Sequence, residues 1–279
     1  MTLKTILACF TDETGAEGLA RAACALARRH DAHLIGVHTV ETLMSYPGIA
    51  VHMPDAVYEI YGDAQMAQNA KLKAVFDRHT QNEDFVAEWR VLRSDLETGA
   101  ERIVETARCV DIVLLSAAQG DEDKPAQLKL SEAVIRDAGR PVISVPHTFD
   151  GDVLGESVMI GWNGTREAAR AAHDALALLR DGDSVQILRV NDSSFDALND
   201  PASTDLAAGL ARYGIETTLV QRTWSHGGVA EALDKEAFEA GADLIAVGAF
   251  GHSRAYDLVI GGATRDLLRH AKLPVMFSR

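Results

Sequence analysis

Basic residues are in short supply: 27 Lys and Arg stand against 41 Asp and Glu, giving a formal net charge of −14. No local basic cluster offsets the excess, so nucleic acid and anionic membrane surfaces are excluded as expected partners. Only three cysteines occur, Cys9, Cys24 and Cys109. They are odd in number, confined to the first half and free of Cys-x-x-Cys spacing, which predicts reduced residues in the core rather than disulfides or a zinc site. No apolar run approaches a membrane span. "MTLKTILACF" holds a single Lys and too short an apolar stretch before "TDE" to act as a signal peptide, so a cytoplasmic location is expected. The chain also lacks a G-x-x-x-x-G-K-[ST] loop, a G-x-S-x-G elbow, a His-x-Gly-His motif and any His-Glu-x-x-His or Cys/His spacing. No catalytic residue and no metal site are therefore expected, with weak ATP hydrolysis left open.

What the chain has is a repeat. "KTILACFTDETGAEGLARAACALARR" from Lys4 aligns with "SVMIGWNGTREAARAAHDALALLR" from Ser157, and "DAHLIGVHTVE" from Asp31 with "GDSVQILRVND" from Gly182. "VDIVLLSAAQG" from Val110 aligns with "ADLIAVGAFGH" from Ala242, and "EAVIRDAGRPVISVP" from Glu132 with "RDLLRHAKLPVMFSR" from Arg265. Each unit alternates strands and helices, which predicts an α/β fold of two tandem doubly wound parallel-sheet domains, Rossmann-like, at residues 1–148 and 156–279. "PHTFDGDVLGES" from Pro146 forms the linker. In the second unit strands are expected at about Val158–Trp162, Val185–Val190, Glu216–Arg222, Leu244–Gly248 and Val275–Ser278. Thr14 with Glu17 has the spacing of a capping box, and Thr165 is the matching N-cap of unit two. An irregular insertion from Thr42, with Tyr46, Met53, Tyr58 and Tyr61, reads either as a lid or partner surface or as packing over the domain's own helices.

With strand order 3-2-1-4-5, the loops after strands one and four face each other across a crevice. In unit two these loops are "WNGT" and "GAFGHSRAYDLVIGG". Gly248, Gly251, Gly261 and Gly262 have no side chain to keep an anion away from backbone amides. Ala263 and Thr264 follow at a helix N-terminus, with Arg254 and Arg265 as cations. The same glycines also suit an ordinary strand-to-helix turn. His252 reads as a phosphate contact or as a surface hydrogen-bonding group, and Asp192 and Asp257 as helpers for Mg²⁺ or as solvated loop acids. Trp162 stacks on a ligand or covers the core, and "TWSHGG", with Trp224, Ser225 and His226, either lines the crevice or starts a helix.

The spacing Gly248-x-x-Gly251, nine residues, then Gly261 and, three residues on, Thr264 resembles the nucleotide-binding motif of the universal stress protein family. The duplicated architecture resembles that family's tandem members over nearly the whole chain. The resemblance implies a stress-response protein whose carboxyl-terminal domain binds an adenine nucleotide, ATP, with Mg²⁺ as an optional companion, as a regulatory ligand. By the same resemblance the phosphates lie on the glycine loop with His252 and Arg254. The adenosine lies near Asn163, Val190 and Val247 with Gly248. A homodimer and an unidentified protein partner complete the expectation.

Two positions depart from the family pattern. Gly262 stands where the family has Ser or Thr, removing a hydrogen bond worth about 0.5–1.5 kcal/mol. Asn163 replaces the usual Asp, adding a donor. Unit one departs further, with Ser116 and Gln119 opposite the first two glycines, Leu128 and Lys129 opposite the last two, and the acidic Gly120–Asp123 stretch between them. Its Asp12 keeps the family's acid, leaving room for adenosine or another small ligand. The alternative function is a scaffold or chaperone-like interaction protein that binds no nucleotide.

Overall fold

A computed structural model of the chain describes residues 3–41, 54–94, 98–118, 124–191, 201–223, 228–251 and 261–279. Outside the described residues lie Tyr46 and Met53 of the insertion, Gln119 with the Gly120–Asp123 stretch, Asp192, Trp224, Ser225, His226, His252, Arg254 and Asp257. The first half runs β1 (Thr5–Cys9), α1 (Ala16–His30), β2 (His33–Glu41), α2 (Asp55–Thr80), β3 (Ala87–Ser94), α3 (Gly99–Ala107), β4 (Ile112–Ser116), α4 (Lys124–Asp137) and β5 (Val142–Val145). The second half runs β6 (Ser157–Gly161), α5 (Arg166–Ala175), β7 (Ser184–Asn191), α6 (Pro201–Ala211), β8 (Glu216–Thr223), α7 (Gly228–Glu239), β9 (Leu244–Gly248), α8 (Gly261–His270) and β10 (Val275–Ser278).

The strands form one ten-stranded sheet ordered β3-β2-β1-β4-β5-β10-β9-β6-β7-β8. Each half has the expected 3-2-1-4-5 order, and all neighbours within a half are parallel. Ile6, Leu7, Ala8 and Cys9 of β1 are all buried, as a strand covered by helices on both faces requires. The halves join where β5 and β10 pair antiparallel, Val275 opposite Ser144 and Phe277 opposite Val142. This pairing uses the last strand of both repeats inside one chain. Among the described residues the sheet ends in β3 and β8, and both last strands are already paired within the chain.

Several local expectations are corrected. The Thr14–Glu17 capping box does not form: Gly15 takes the N-cap position of α1 without a side-chain cap, and Gly15 N–H donates to Asp12 Oδ1 at 2.7 Å instead. Glu17 turns away to pair with Arg78 and His79. The reciprocal box lies elsewhere, at Thr98 and Glu101 on α3. Thr165 does cap α5, accepting from Ala168 N–H. The strand expected at Val158–Trp162 runs instead over Ser157–Gly161, with Trp162 N–H still donating to Leu188 O of the neighbouring strand at 2.9 Å. Cys9 and Cys24 are buried, and burial pushes the Cys24 thiol up to about 12. Cys109 is exposed because α3 ends before it and the chain turns in solvent.

Polar contacts also tie the halves together. Arg29 of α1 is largely buried, pairs with Glu156 at 2.6 Å and with Asp183, and donates from Nε to Leu178 O. Beside it, His30 is 4% exposed, and burial, with Arg180 and Arg29 nearby and Asp183 opposing them, pushes its pKa down to about 4. A depressed histidine pKa favours the neutral ring in the folded state. Its contribution is therefore complete above pH 6.5 and is lost as the pH falls toward 4. The thermal midpoint is expected to drop over that window, and less steeply in His30→Gln. Identical profiles for both proteins would assign the acid sensitivity elsewhere.

Candidate functional site

The site grows from two strand ends. β6 stops at Gly161, and Asn163 closes a tight turn: its Oδ1 accepts from Thr165 N–H at 3.2 Å and from Thr165 Oγ1 at 2.7 Å. Gly164 completes the turn in the left-handed region at φ 74°. Asn163's oxygen is committed to this Asx turn, which leaves its amide N–H groups as donors. Thr165 then starts α5, and Glu167 in the first turn is 3% exposed, with Arg166 as its ion-pair partner.

Opposite lies the end of β9. A Cβ on Gly248 would stand 2.5 Å from Glu167 C and 2.6 Å from Ala168 N, so this glycine lets α5 press onto the sheet. One on Gly251 would collide with the Glu167 carboxylate. Between these glycines Phe250 holds a left-handed φ of 54°. The crevice is closed on its third side by the first turn of α8.

Together these elements enclose a cavity of about 500 Å³. Eight of the residues expected from sequence line it: Asn163, Val190, Val247, Gly248, Gly251, Gly262, Ala263 and Thr264. Gly261 opens α8, and His252 and Arg254 lie outside the described residues. Thr264 is 7% exposed, and Arg265 lines the cavity while its Nε donates to Glu132 at 2.8 Å. Trp162 covers the core and also forms part of the cavity wall.

Among the lining residues that sequence reasoning missed are Glu167, Phe250 and Arg136. An acid in the first turn of a helix is a common dipole-complementing choice, so the identity of Glu167 alone carried no functional signal. Arg136 belongs to α4 of the first half and arrives only through the β5–β10 junction, which the repeat pattern does not disclose.

The corresponding crevice of the first half is bridged by its own side chains. Gln127 of α4 accepts from Thr11 Oγ1 at 2.9 Å and donates to Ser116 O at 2.8 Å, joining the ends of β1 and β4. Asp12, the acid left open for a ligand, is engaged by Gly15 N–H. A Cβ on Gly15 would meet Ser116 Cβ at 2.6 Å. The same close approach of helix to strand is thus met with the glycine on the helix side here and on the strand side in the second half.

No curated protein matches the sequence. Among solved structures, a universal stress protein from Archaeoglobus fulgidus DSM 4304 superposes over 100% of this chain and 97% of its own with a TM-score of 0.74 at 14% identity. A provisional universal stress protein from Pseudomonas aeruginosa UCBPP-PA14 covers 99% of this chain and 93% of its own, with a TM-score of 0.58 and 12% identity. An Archaeoglobus fulgidus universal stress protein in complex with dAMP matches 51% of this chain and 97% of its own, with a TM-score of 0.37 and 16% identity. The Universal stress protein family model matches residues 156–279. Residues 156–279 thus resemble the universal stress protein family, and the chain as a whole has the fold of a solved universal stress protein.

Proposed function

We propose that the carboxyl-terminal half, residues 156–279, binds an adenine nucleotide, ATP, as a regulatory ligand of a stress-response protein, while the amino-terminal half, residues 1–148, acts as its partner domain. The observation that carries the reading is the convergence of Asn163, Val190, Val247 and the glycine-loop residues on one cavity of about 500 Å³, within the usual size of small-ligand sites. The first N–H groups of α8 lack intrahelical acceptors, and three residues of that turn, Gly262, Ala263 and Thr264, line the cavity. They would hold phosphate, with His252 and Arg254 on the adjoining loop. Val190, Val247 and Trp162 would contact the base. Mg²⁺ is an optional companion in this reading. The bound ligand would alter a surface that a protein partner reads.

Glu167 opposes this reading, since its carboxylate stands against Gly251 in the same cavity. It also limits how deeply a polyphosphate can sit. This favours the second reading, an interaction protein that binds no nucleotide. So do Ile60 and Met66 on α2, which are 70% and 49% exposed.

A thermal-shift series with ATP, ADP, AMP, cyclic AMP and adenosine separates the two. A ligand at one hundred times its Kd stabilises the folded chain by about 2.7 kcal/mol, a shift of several degrees. ATP is expected to produce it. No shift with any adenine compound would favour the interaction protein.

A further inference from the structure

The cavity of the second half contains a cation from the first. We propose that Arg136 on α4 is the anion-binding residue for a phosphate group held there, so that ligand binding depends on the junction between the halves; this rests on the nucleotide reading above. Three charged residues line the cavity among the described residues: Arg136, Arg265 and Glu167. Glu167 is paired with Arg166, and Arg265 donates to Glu132. Arg136 differs from both. Its guanidinium lies over the Phe250 ring, 5.1 Å from the centroid, and has no carboxylate or other oxygen acceptor among the described residues.

Such a contact stabilises the cation without consuming an oxygen partner. It leaves a planar, permanently charged group with five N–H donors, the geometry that grips a phosphate through two parallel hydrogen bonds. Phe250 is suited to hold it, because its left-handed backbone falls between the buried Ala249 and Gly251 in the glycine loop. The helix carrying Arg136 is also fixed to the second half. Glu132 and Arg265 occupy matching places in the repeat and pair with each other, while Arg279 Nη1 donates to Arg136 O at 3.3 Å. The arginine is thus held at the rim of the other half's cavity by contacts that do not take up its N–H donors.

The test is calorimetry on the full chain with ATP and with adenosine, comparing the unaltered protein, Arg136→Ala and Arg136→Gln. Both variants are expected to bind ATP about tenfold to a hundredfold more weakly, the usual worth of a charge-assisted contact, and to bind adenosine unchanged. Far-ultraviolet circular dichroism identifies whichever variant keeps the fold. ATP affinity equal to that of the unaltered chain, or an equal loss for adenosine, overturns the assignment of Arg136 alone. Failure of the unaltered chain to bind either compound overturns the nucleotide reading and this proposal with it.

Discussion

Asp243→Ala is expected to lower the stability of the folded chain by about 2–4 kcal/mol, without altering the slope of unfolding against denaturant. The Asp243 carboxylate collects three backbone N–H groups from the start of the second half: Gly155 at 2.6 Å, Glu156 at 2.9 Å and Ser157 at 3.1 Å. Burial raises its pKa above the ordinary aspartate value against the pull of those donors. The group's worth therefore lies in accepting hydrogen bonds more than in carrying charge. Alanine leaves the donors partly shielded and unpaired. Asparagine keeps one acceptor oxygen and is expected to lose about half as much. Asp111 holds the equivalent place in the first half, accepting from Lys4 and Thr5 N–H, so Asp111→Ala is expected to follow in the same direction with a smaller loss. Urea denaturation of the three variants checks the order. An alanine variant as stable as the unaltered chain would remove this anchor from the account.

Gly248→Val carries the second large effect. The added Cβ would meet the α5 backbone at Glu167 and Ala168, and backbone, unlike the end of a flexible side chain, cannot step aside. Separating α5 from the sheet breaks the packing of Ala168, Ala171 and Ala172, all buried. A loss of about 3 kcal/mol, the upper range for overpacked cores, is expected, with a comparable loss for Gly15→Val at the matching contact with Ser116. Gly262→Ala is the contrasting control, because its nearest neighbour is Asp266 Oδ2 at 3.4 Å. It should keep its fold and report on ligand approach alone. Equal melting of Gly248→Val and the unaltered chain would contradict the packing argument.

These glycines show what the sequence could disclose. Central parallel strands were legible because "DIVLL" and "DLIAVG" are apolar on both alternations, as expected of doubly covered strands, and because the two units align end to end, while the 3-2-1-4-5 order was what right-handed crossovers allow and what the family resemblance implies. The crevice followed from that order. The packing role of Gly248 was hidden, since phosphate approach and helix approach make the same demand for a missing side chain. Gln127 closing the first half's crevice was equally hidden, as a glutamine in a helix has no sequence signal for what it reaches. The inter-half network of Arg29, Glu132 and Arg136 depends on β5 meeting β10, a long-range pairing absent from any local pattern. The failed capping box at Thr14 shows local chemistry losing to tertiary demand, because Glu17 finds Arg78 and His79 on α2 instead.

The central claim is that one cavity, in one half of the chain, takes an adenine nucleotide. A crystal structure of the full chain grown with ATP tests it directly. The account predicts a single nucleotide between Asn163 and the first turn of α8, its phosphates toward Gly262 and Arg136, and none in the crevice bridged by Gln127. An empty second-half cavity at saturating ATP, or a nucleotide seated at Asp12 instead, would contradict it.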